Sequence, residues 1–171
     1  MCRFVSFHAI GRGSELKAFR QAVTGYHKIA DRKRDVLTLI DFSRPSTEKR
    51  LFVFDMKQRR LLFSSVVSHG KNSGDKYATS FSNEYGSYKS SLGFYLTETT
   101  YQGRNGYSLI LNGLEKGIND RARERAIVYM ELLMPILRLQ AGEGVWDGVS
   151  VVRLFRKSSA ALLSTPLKGE A

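Results

Sequence analysis

Apolar residues follow a helical period near the start of the chain. Between residues 14 and 30 they recur at spacings of three and four, and Ser14 stands where a helix N-cap is expected. The residues that fall on the shared face are Leu16, Phe19, Val23, Tyr26 and Ile29. This pattern predicts one N-terminal helix with a single buried face.

Beyond residue 35 the apolar pattern becomes that of β-strands. Residues 36–42 (VLTLIDF) form a continuous apolar, β-branched run typical of a buried strand. Residues 51–68 predict a hairpin whose polar turn lies at 56–59. Two further strands are predicted at 92–98 (LGFYLTE) and 106–113 (GYSLILNG), with a Gly-rich turn between them. The predicted fold class is mainly β (α+β), mostly antiparallel, with one N-terminal helix.

A long polar segment, residues 70–91, interrupts the strands. A loop of this length inside a compact domain is usually functional. It mixes aromatic and basic side chains, and two interpretations are open: these side chains stack on bases or sugars, or they pack the loop against the sheet, which we favour. The side chains in question are Tyr77, Phe81, Tyr85, Tyr88, Lys76 and Lys89. The glycines in this segment and at 103–106 lack the spacing of a phosphate-binding loop.

Charge adds a hint about partners. The chain has 171 residues, with 27 Lys+Arg against 16 Asp+Glu and a net charge of +11. Such a balance favours a polyanionic partner, which can be nucleic acid, an anionic lipid surface or an acidic wall polymer. An equal alternative is that the basic surface is merely solvated.

Cysteine and histidine usage limits the chemistry. Cys2 is the one cysteine, so no intrachain disulfide or zinc cluster can form, and His8, His27 and His69 are scattered. We therefore predict no metal and no cofactor. No apolar stretch of about 18 residues is present, and the first residues lack the apolar run of a signal peptide, so we expect no transmembrane segment and see no export signal.

Several stretches together resemble a known family. They are VLTLIDFSRPSTEKRLFVFD, LLFSSVVSHGKNSGDKYATSFSN, GSYKSSLGFYLTETTYQGRNGYSLILNGLEKG and NDRARERAIV, within residues 35–128. They resemble the murein L,D-transpeptidase catalytic domain family in its larger bacterial variant, and AFRQAVTGYHKI looks like the helix that precedes it. The resemblance implies a β-rich catalytic fold, a location in the cell envelope or periplasm, and peptidoglycan stem peptides as partners. It would also explain the basic charge, since the wall is polyanionic.

The resemblance ends where the catalytic residues are expected. In the family, a cysteine thiolate attacks a stem peptide and the acyl-enzyme passes to an amine of a neighbouring stem. The resemblance places a His-Gly pair just after ARERAIV and a Ser-x-Gly-Cys motif about twenty residues later. This chain continues instead as YMELLMPILRLQAGEGVWDGVSVVRLFRKSS, with neither motif, and Cys2 lies outside the matched stretches. We assign no catalytic residue and expect the chain, as written, to be inactive.

The genetic code offers an origin for this break. If the frame slips near Tyr129, the codons of Tyr129 and Met130 permit histidine, and those of Met130 and Glu131 force glycine. Further along, the shifted codons of 145–153 permit Leu-Gly-Arg-Ser-x-Gly-Cys-Pro. We therefore predict three segments: an N-terminal helical segment (1–34), a truncated L,D-transpeptidase-like domain (35–128) and a frameshifted tail (129–171).

The alternative is a genuine tail. RERAIVYMELLMPILRLQ contains good helix formers, but Pro135 would break the helix and its apolar residues surround the axis instead of forming a stripe. That pattern favours the frameshift. If the family's core includes the missing segments, their loss would open the sheet and expose an edge, so we expect marginal stability or aggregation.

Position within the matched loop suggests a substrate cleft. The candidate substrate-binding residues are His69, Gly70, Asn72, Ser73, Tyr77, Ser87, Lys89 and Gly93. The alternative for each is loop scaffolding, and a lone histidine such as His69 is more often a structural hydrogen-bonding residue. Two other functions stay open: a non-catalytic peptidoglycan-binding pseudoenzyme, and a basic β-domain that binds nucleic acid, although no nucleic acid is expected as a partner because no signature of such domains is present.

Overall fold

The computed structural model describes residues 14–103, 106–129 and 151–155. In chain order the elements are α1 (Ser14–Lys28), β1 (Val36–Asp41), β2 (Leu51–Asp55), β3 (Arg60–Ser65), β4 (Gly93–Gly103), β5 (Gly106–Gly113), β6 (Val128–Tyr129) and β7 (Val151–Phe155). The predicted helix, the buried strand, the hairpin and the pair of later strands are all present. The ends of these elements differ from the prediction by a few residues. The largest difference is at β4, which continues through the expected turn to Gly103.

The described strands form one seven-stranded sheet. Their order is β3-β2-β1-β7-β4-β5-β6. β1 and β7 run parallel, and the other neighbouring pairs are antiparallel. The predicted fold class, a mostly antiparallel β-rich α+β domain with an N-terminal helix, is confirmed.

Both faces of the sheet are covered, which explains why all six residues of β1 are buried. On one face, α1 and the residue that follows it pack against the sheet through Ala18, Phe19, Ala22, Tyr26 and Ile29. The apolar side chains that they meet include those of Leu37, Leu39, Phe52, Phe54, Phe94 and Leu96. Leu16, predicted on the buried face of the helix, is instead 39% exposed. Small residues let the helix lie near the sheet: Ala18 and Ala22 are fully buried, and a Cβ on Gly25 would lie 1.9 Å from the Phe94 ring.

The other face is covered by loops. Ala78 from the long polar segment and Leu92 just after it, together with Ala122, join the core cluster there, and Phe81 and Ile127 pack against it. The polar segment is therefore a second layer of the domain, anchored through a few apolar side chains. Apart from the buried Ser73 and Ser91, its other residues are partly or fully exposed above the sheet.

The described part of the tail differs from the helix that was the alternative to a frameshift. Residues 121–126 form turns and 128–129 pair with β5, so the helix considered over 123–140 is absent from its described part. β7 lies between β1 and β4, so the sheet is not open at that place. Its sequence, VVRLF, has the β-branched and apolar residues that suit a central strand. Cys2, the side chain of Ser14 and most of the predicted frameshifted tail lie outside the described residues.

Candidate functional site

A groove of about 690 Å³ opens where the polar segment meets the turns that follow β5. This size lies in the usual range for ligand-binding sites. Among the described residues it is lined by Ser68, His69, Gly70, Lys71, Tyr85, Gly86, Tyr88, Lys89, Ser90, Tyr101, Gly103, Ser108, Glu124, Arg125, Ala126 and Ile127. A second hollow of about 540 Å³, beside the end of α1, includes Arg32 and Glu98 but none of the predicted site residues. The groove is therefore the candidate site.

His69 is held by hydrogen bonds from both sides. Its Nδ1 lies 2.9 Å from Nη2 of Arg50, and its Nε2 lies 3.0 Å from the carbonyl oxygen of Gly74. A guanidinium can only donate, so Nδ1 accepts and Nε2–H donates to Gly74, which defines a neutral imidazole. Both ring nitrogens are thus engaged with the scaffold, and His69 is poorly placed to take a proton from a substrate.

Arg50 holds the residues that lead into the polar segment. Its side chain is fully buried. It donates to the carbonyl oxygen of Val67 at 2.9 and 2.6 Å and to that of Arg44 at 3.1 Å, and its guanidinium lies 4.9 Å from the centre of the Phe42 ring. Burial lowers the pKa of Arg50 to about 10, and the nearby carboxylate of Asp41 opposes that shift. Arg50 stays charged at neutral pH, and its acceptors compensate its desolvation.

Three predicted residues hold the two ends of the polar segment together. Ser73 is fully buried, and its Oγ accepts from the backbone N–H of Ser90 at 2.8 Å. The side-chain amide of Asn72 donates to the carbonyl oxygen of Ser87 at 2.9 Å. The N–H of Gly70 donates to Ser90 Oγ at 2.9 Å, and a Cβ on Gly70 would lie 2.5 Å from the carbonyl oxygen of Tyr88. The polar segment is therefore a closed loop with its own hydrogen-bonded frame.

Arg125 joins this loop to the turns after β5. Its Nη1 donates to the carbonyl oxygen of Ser82 and to Ser91 Oγ, each at 2.6 Å. Its Nη2 donates to Ser87 Oγ at 2.9 Å and to the carbonyl oxygen of Lys89 at 2.6 Å. Burial lowers the pKa of Arg125 from its ordinary value. All four acceptors lie within residues 82–91, so Arg125 clamps this stretch. It is the part of the loop that carries Tyr85 and Tyr88.

Gly93 serves the sheet and does not line the groove. A Cβ at Gly93 would lie 2.0 Å from Oε2 of Glu115, and its φ of +116° is a conformation that other residues rarely adopt. Glu115 Oε2 accepts from the N–H of Phe94 at 2.6 Å, and Asn119 Nδ2 donates to the carbonyl oxygen of Leu92 at 3.1 Å. Glycine at this position lets the Glu115 carboxylate reach the start of β4.

The structure brings together some of the predicted site residues and separates others. His69, Gly70 and Lys89 line the groove. Asn72, Ser73 and Ser87 form the frame behind it, Tyr77 is 49% exposed outside its lining, and Gly93 begins β4. The sequence analysis did not single out Arg50 or Arg125, because a charged residue in a charged stretch gives no sign that it will be buried.

The described residues offer no evident metal site and no membrane helix. Within the described ranges, no group of three or more His, Cys, Asp or Glu side chains could hold a metal ion. In the same part of the chain, no helix is both long and apolar enough to cross a bilayer.

Fold and groove together define a β-rich α+β domain with a ligand-sized, polar, aromatic-rimmed groove over one sheet face. Residues 11–132 match the model of the L,D-transpeptidase catalytic domain, so the chain belongs to that family. The family acts on peptidoglycan and is typically associated with the cell envelope, and membership supports a peptidoglycan transpeptidase-like function. Searches among curated proteins and among solved structures found no match to the chain.

Proposed function

We propose that this chain binds peptidoglycan stem peptides in the groove and that the 171 residues, as written, catalyse no acyl transfer. One observation carries the proposal: the chain belongs to a family that acts on peptidoglycan, yet its single cysteine, Cys2, lies outside the matched residues 11–132. Without a thiolate in the matched region there is no covalent intermediate of the family's type. His69 does not supply a free base, because both its ring nitrogens are engaged.

The groove has charge suited to a stem peptide. Lys71, Lys89 and Arg125 line it, against the single carboxylate of Glu124 among its described lining. Arg125 is occupied by the clamp, and the Lys71 ammonium lies 4.1 Å from the centre of the Tyr88 ring. We assign recognition of a stem carboxylate to Lys89, since a carboxylate against an ammonium forms a strong, charge-assisted hydrogen bond.

Co-sedimentation with purified, nuclease-treated sacculi tests this binding. We expect wild-type protein to sediment, and Lys89→Gln to weaken binding roughly tenfold, as for the loss of one charged hydrogen bond. Lys57→Gln is the matched control: it removes the same charge from the exposed β2–β3 turn and should bind like wild type. Equal losses in both variants would mean that net charge alone drives binding, and retention of nucleic acid in place of sacculi would favour the nucleic-acid-binding alternative.

We further propose that residues 129–171 come from a shifted reading frame, since the shifted codons permit histidine and force glycine at the start of this tail. Nucleotide sequencing across codons 128–153 tests this directly. A missing or extra base near codon 129 supports it, and an unbroken frame contradicts it.

A frame-restored variant gives the matching activity test. It should form cross-linked muropeptides from tetrapeptide donors, detected by mass spectrometry, whereas the chain as written should form none. Cross-links formed by the chain as written would overturn the proposed inactivity.

A further inference from the structure

Three tyrosines at the rim of the groove are exposed. The exposed fractions are 79% for Tyr85, 62% for Tyr88 and 40% for Tyr101, and all three line the groove. Aromatic rings are usually covered in folded proteins, and exposed apolar area gathered at one site marks a binding surface. The favoured sequence-based interpretation, that the aromatics of the polar segment pack it against the sheet, applies to Phe81 but not to Tyr85 and Tyr88.

The backbone beneath these rings is well fixed. Tyr85 and Tyr88 lie inside the 82–91 stretch clamped by Arg125. The carbonyl oxygen of Tyr88 also accepts from the N–H of Asn72 at 3.1 Å, and Tyr101 projects from β4. A rigid backbone loses little entropy when a ligand binds, so the positions from which the rings project are preorganised for contact.

Hydrogen-bonding groups line the same groove as the rings. Ser68, Ser90 and Lys71 share the groove with the tyrosines, and the Lys71 ammonium lies 4.1 Å from the centre of the Tyr88 ring. Flat apolar faces surrounded by hydroxyl and ammonium groups complement a pyranose, which presents a C–H face to a ring and hydroxyl or acetamido groups at its edge. A stem peptide would instead bind through its carboxylate to a basic side chain such as Lys89. The sugar and the peptide would therefore occupy different parts of the groove.

We propose that Tyr85, Tyr88 and Tyr101 form a saccharide-stacking subsite that holds the N-acetylated glycan strand of peptidoglycan beside its stem peptide. The inference rests on the proposed function, since it assigns the second chemical half of the same polymer to the same groove. The glycan lies across the rim formed by the tyrosines, and the stem enters the groove towards Lys89.

A neutral oligosaccharide separates stacking from charge attraction. The probe is tetra-N-acetylchitotetraose, which carries no charge, with binding followed by titration calorimetry and by ligand-observed NMR on the full chain. We expect measurable binding to wild type and a loss of roughly 5- to 100-fold for Tyr85→Ala or Tyr88→Ala, the range seen when a base loses its aromatic stacking partner. Tyr85→Phe keeps the ring face and should stay within about threefold of wild type.

Tyr77→Ala is the matched control. Tyr77 lies in the same polar segment and is 49% exposed, but it is not among the described residues that line the groove. We expect this variant to bind the oligosaccharide like wild type. Because Tyr85 and Tyr88 are exposed, their alanine variants should melt like wild type, so lost binding will not reflect unfolding.

Three outcomes would overturn the subsite. The first is no binding of the oligosaccharide while free stem tetrapeptide still binds and depends on Lys89, which leaves the proposed function intact. The second is binding that is equal in wild type and the Tyr85→Ala/Tyr88→Ala double variant. Binding of single-stranded RNA, but not of the oligosaccharide, lost in the same variants would assign the rings to bases and also contradict the proposal.

Discussion

At the scale of single residues, Gly93 determines the backbone geometry at the start of β4, because the Glu115 carboxylate approaches the backbone there. The Glu115 carboxylate and the Asn119 amide occupy the space that a side chain at Gly93 would need. They hold the backbone at the start of β4 through hydrogen bonds to Phe94 and Leu92. The site depends on this arrangement indirectly, because β4 also carries Tyr101.

We expect Gly93→Ala to lower the free energy of unfolding by roughly 3–5 kcal/mol, since the new Cβ adds backbone strain and displaces a buried, charged hydrogen-bond acceptor. The comparison is Gly86→Ala, which also has positive φ (+73°) but no neighbouring atom within 4 Å of the added Cβ. That change should cost only about 1–2 kcal/mol. Urea melts of the two variants provide the measurement, and equal losses would contradict the role given to Glu115.

Tyr95 makes stability sensitive to alkali. Its hydroxyl is buried and donates to the carbonyl oxygen of Ser91 at 2.8 Å, and burial raises the pKa of Tyr95 above its ordinary value of 10.0. Above pH 10 the unfolded chain loses this proton while the folded chain keeps it, so stability is complete below pH 10 and falls as the pH rises further. The lowered pKa of Arg50 acts in the opposite direction above about pH 10.

Comparing Tyr95→Phe with wild type isolates the Tyr95 contribution. We expect the variant to be about 1 kcal/mol less stable at pH 7, because the Ser91 carbonyl loses its donor. Above pH 10 its stability should fall less steeply than that of wild type, by up to about 1.4 kcal/mol per pH unit. Thermal melts at several pH values measure both effects. Tyr85→Phe, the same change at an exposed tyrosine, is the matched control.

At the scale of elements, periodic apolar residues were sufficient to predict α1, β1, the β2–β3 hairpin and the β4–β5 pair. These elements carry their signal locally, as a helical period or a β-branched run. The predicted site was recovered less completely. Hydrogen bonds between distant positions, such as those from Arg125 to Ser82 and Lys89, decide which loop residues face the groove, and a single sequence has no local sign of them.

β6 is a second case in which the local sequence does not determine the structure. Residues 123–140 favour a helix by propensity, yet Val128–Tyr129 pair with β5. A nearby strand with unpaired backbone groups can override a weak local preference. The sequence therefore predicted elements whose own pattern decides their structure, and it gave no sign of β6, whose structure a neighbouring strand decides.

The Arg125 clamp predicts how firmly residues 82–91 are held. We expect Arg125→Ala to speed amide hydrogen exchange across residues 82–91 roughly 10- to 100-fold, as for the loss of about 1.5–3 kcal/mol of charged hydrogen bonding. Arg123→Ala is the control: Arg123 is exposed, and its described ion pair is with Glu98, away from this stretch. Exchange measured by mass spectrometry would contradict the clamp if both variants matched wild type. Weaker saccharide binding should accompany the faster exchange.

For the whole molecule, β7 decides whether the sheet is one unit. It pairs with β1 on one side and β4 on the other, so among the described strands it joins a β3-β2-β1 half to a β4-β5-β6 half. A central strand uses its backbone donors and acceptors on both sides. Loss of this strand would expose an edge on each half, and exposed strand edges promote aggregation.

Val152→Pro tests this role. Residue 152 lies opposite Thr38 and Tyr95 in the two ladders, and proline removes its backbone donor from the middle of the sheet. We expect a loss of about 3 kcal/mol or more, seen as a lower melting temperature or as insoluble protein. Tyr129→Pro, in the two-residue edge strand β6, should cost clearly less. A similar loss in both variants would contradict the central position of β7.

The position of β7 also has a consequence for how the chain folds as it is made. β1 is complete after residue 41, but its parallel partner begins at residue 151, more than a hundred residues later. Pairings across such a distance form slowly, because a long loop must close first. On the ribosome, both halves of the sheet would emerge and wait with open edges until β7 is synthesised. We therefore expect chaperones that shield strand edges during translation to raise the soluble yield of this protein more than they raise that of a domain with local strand pairing.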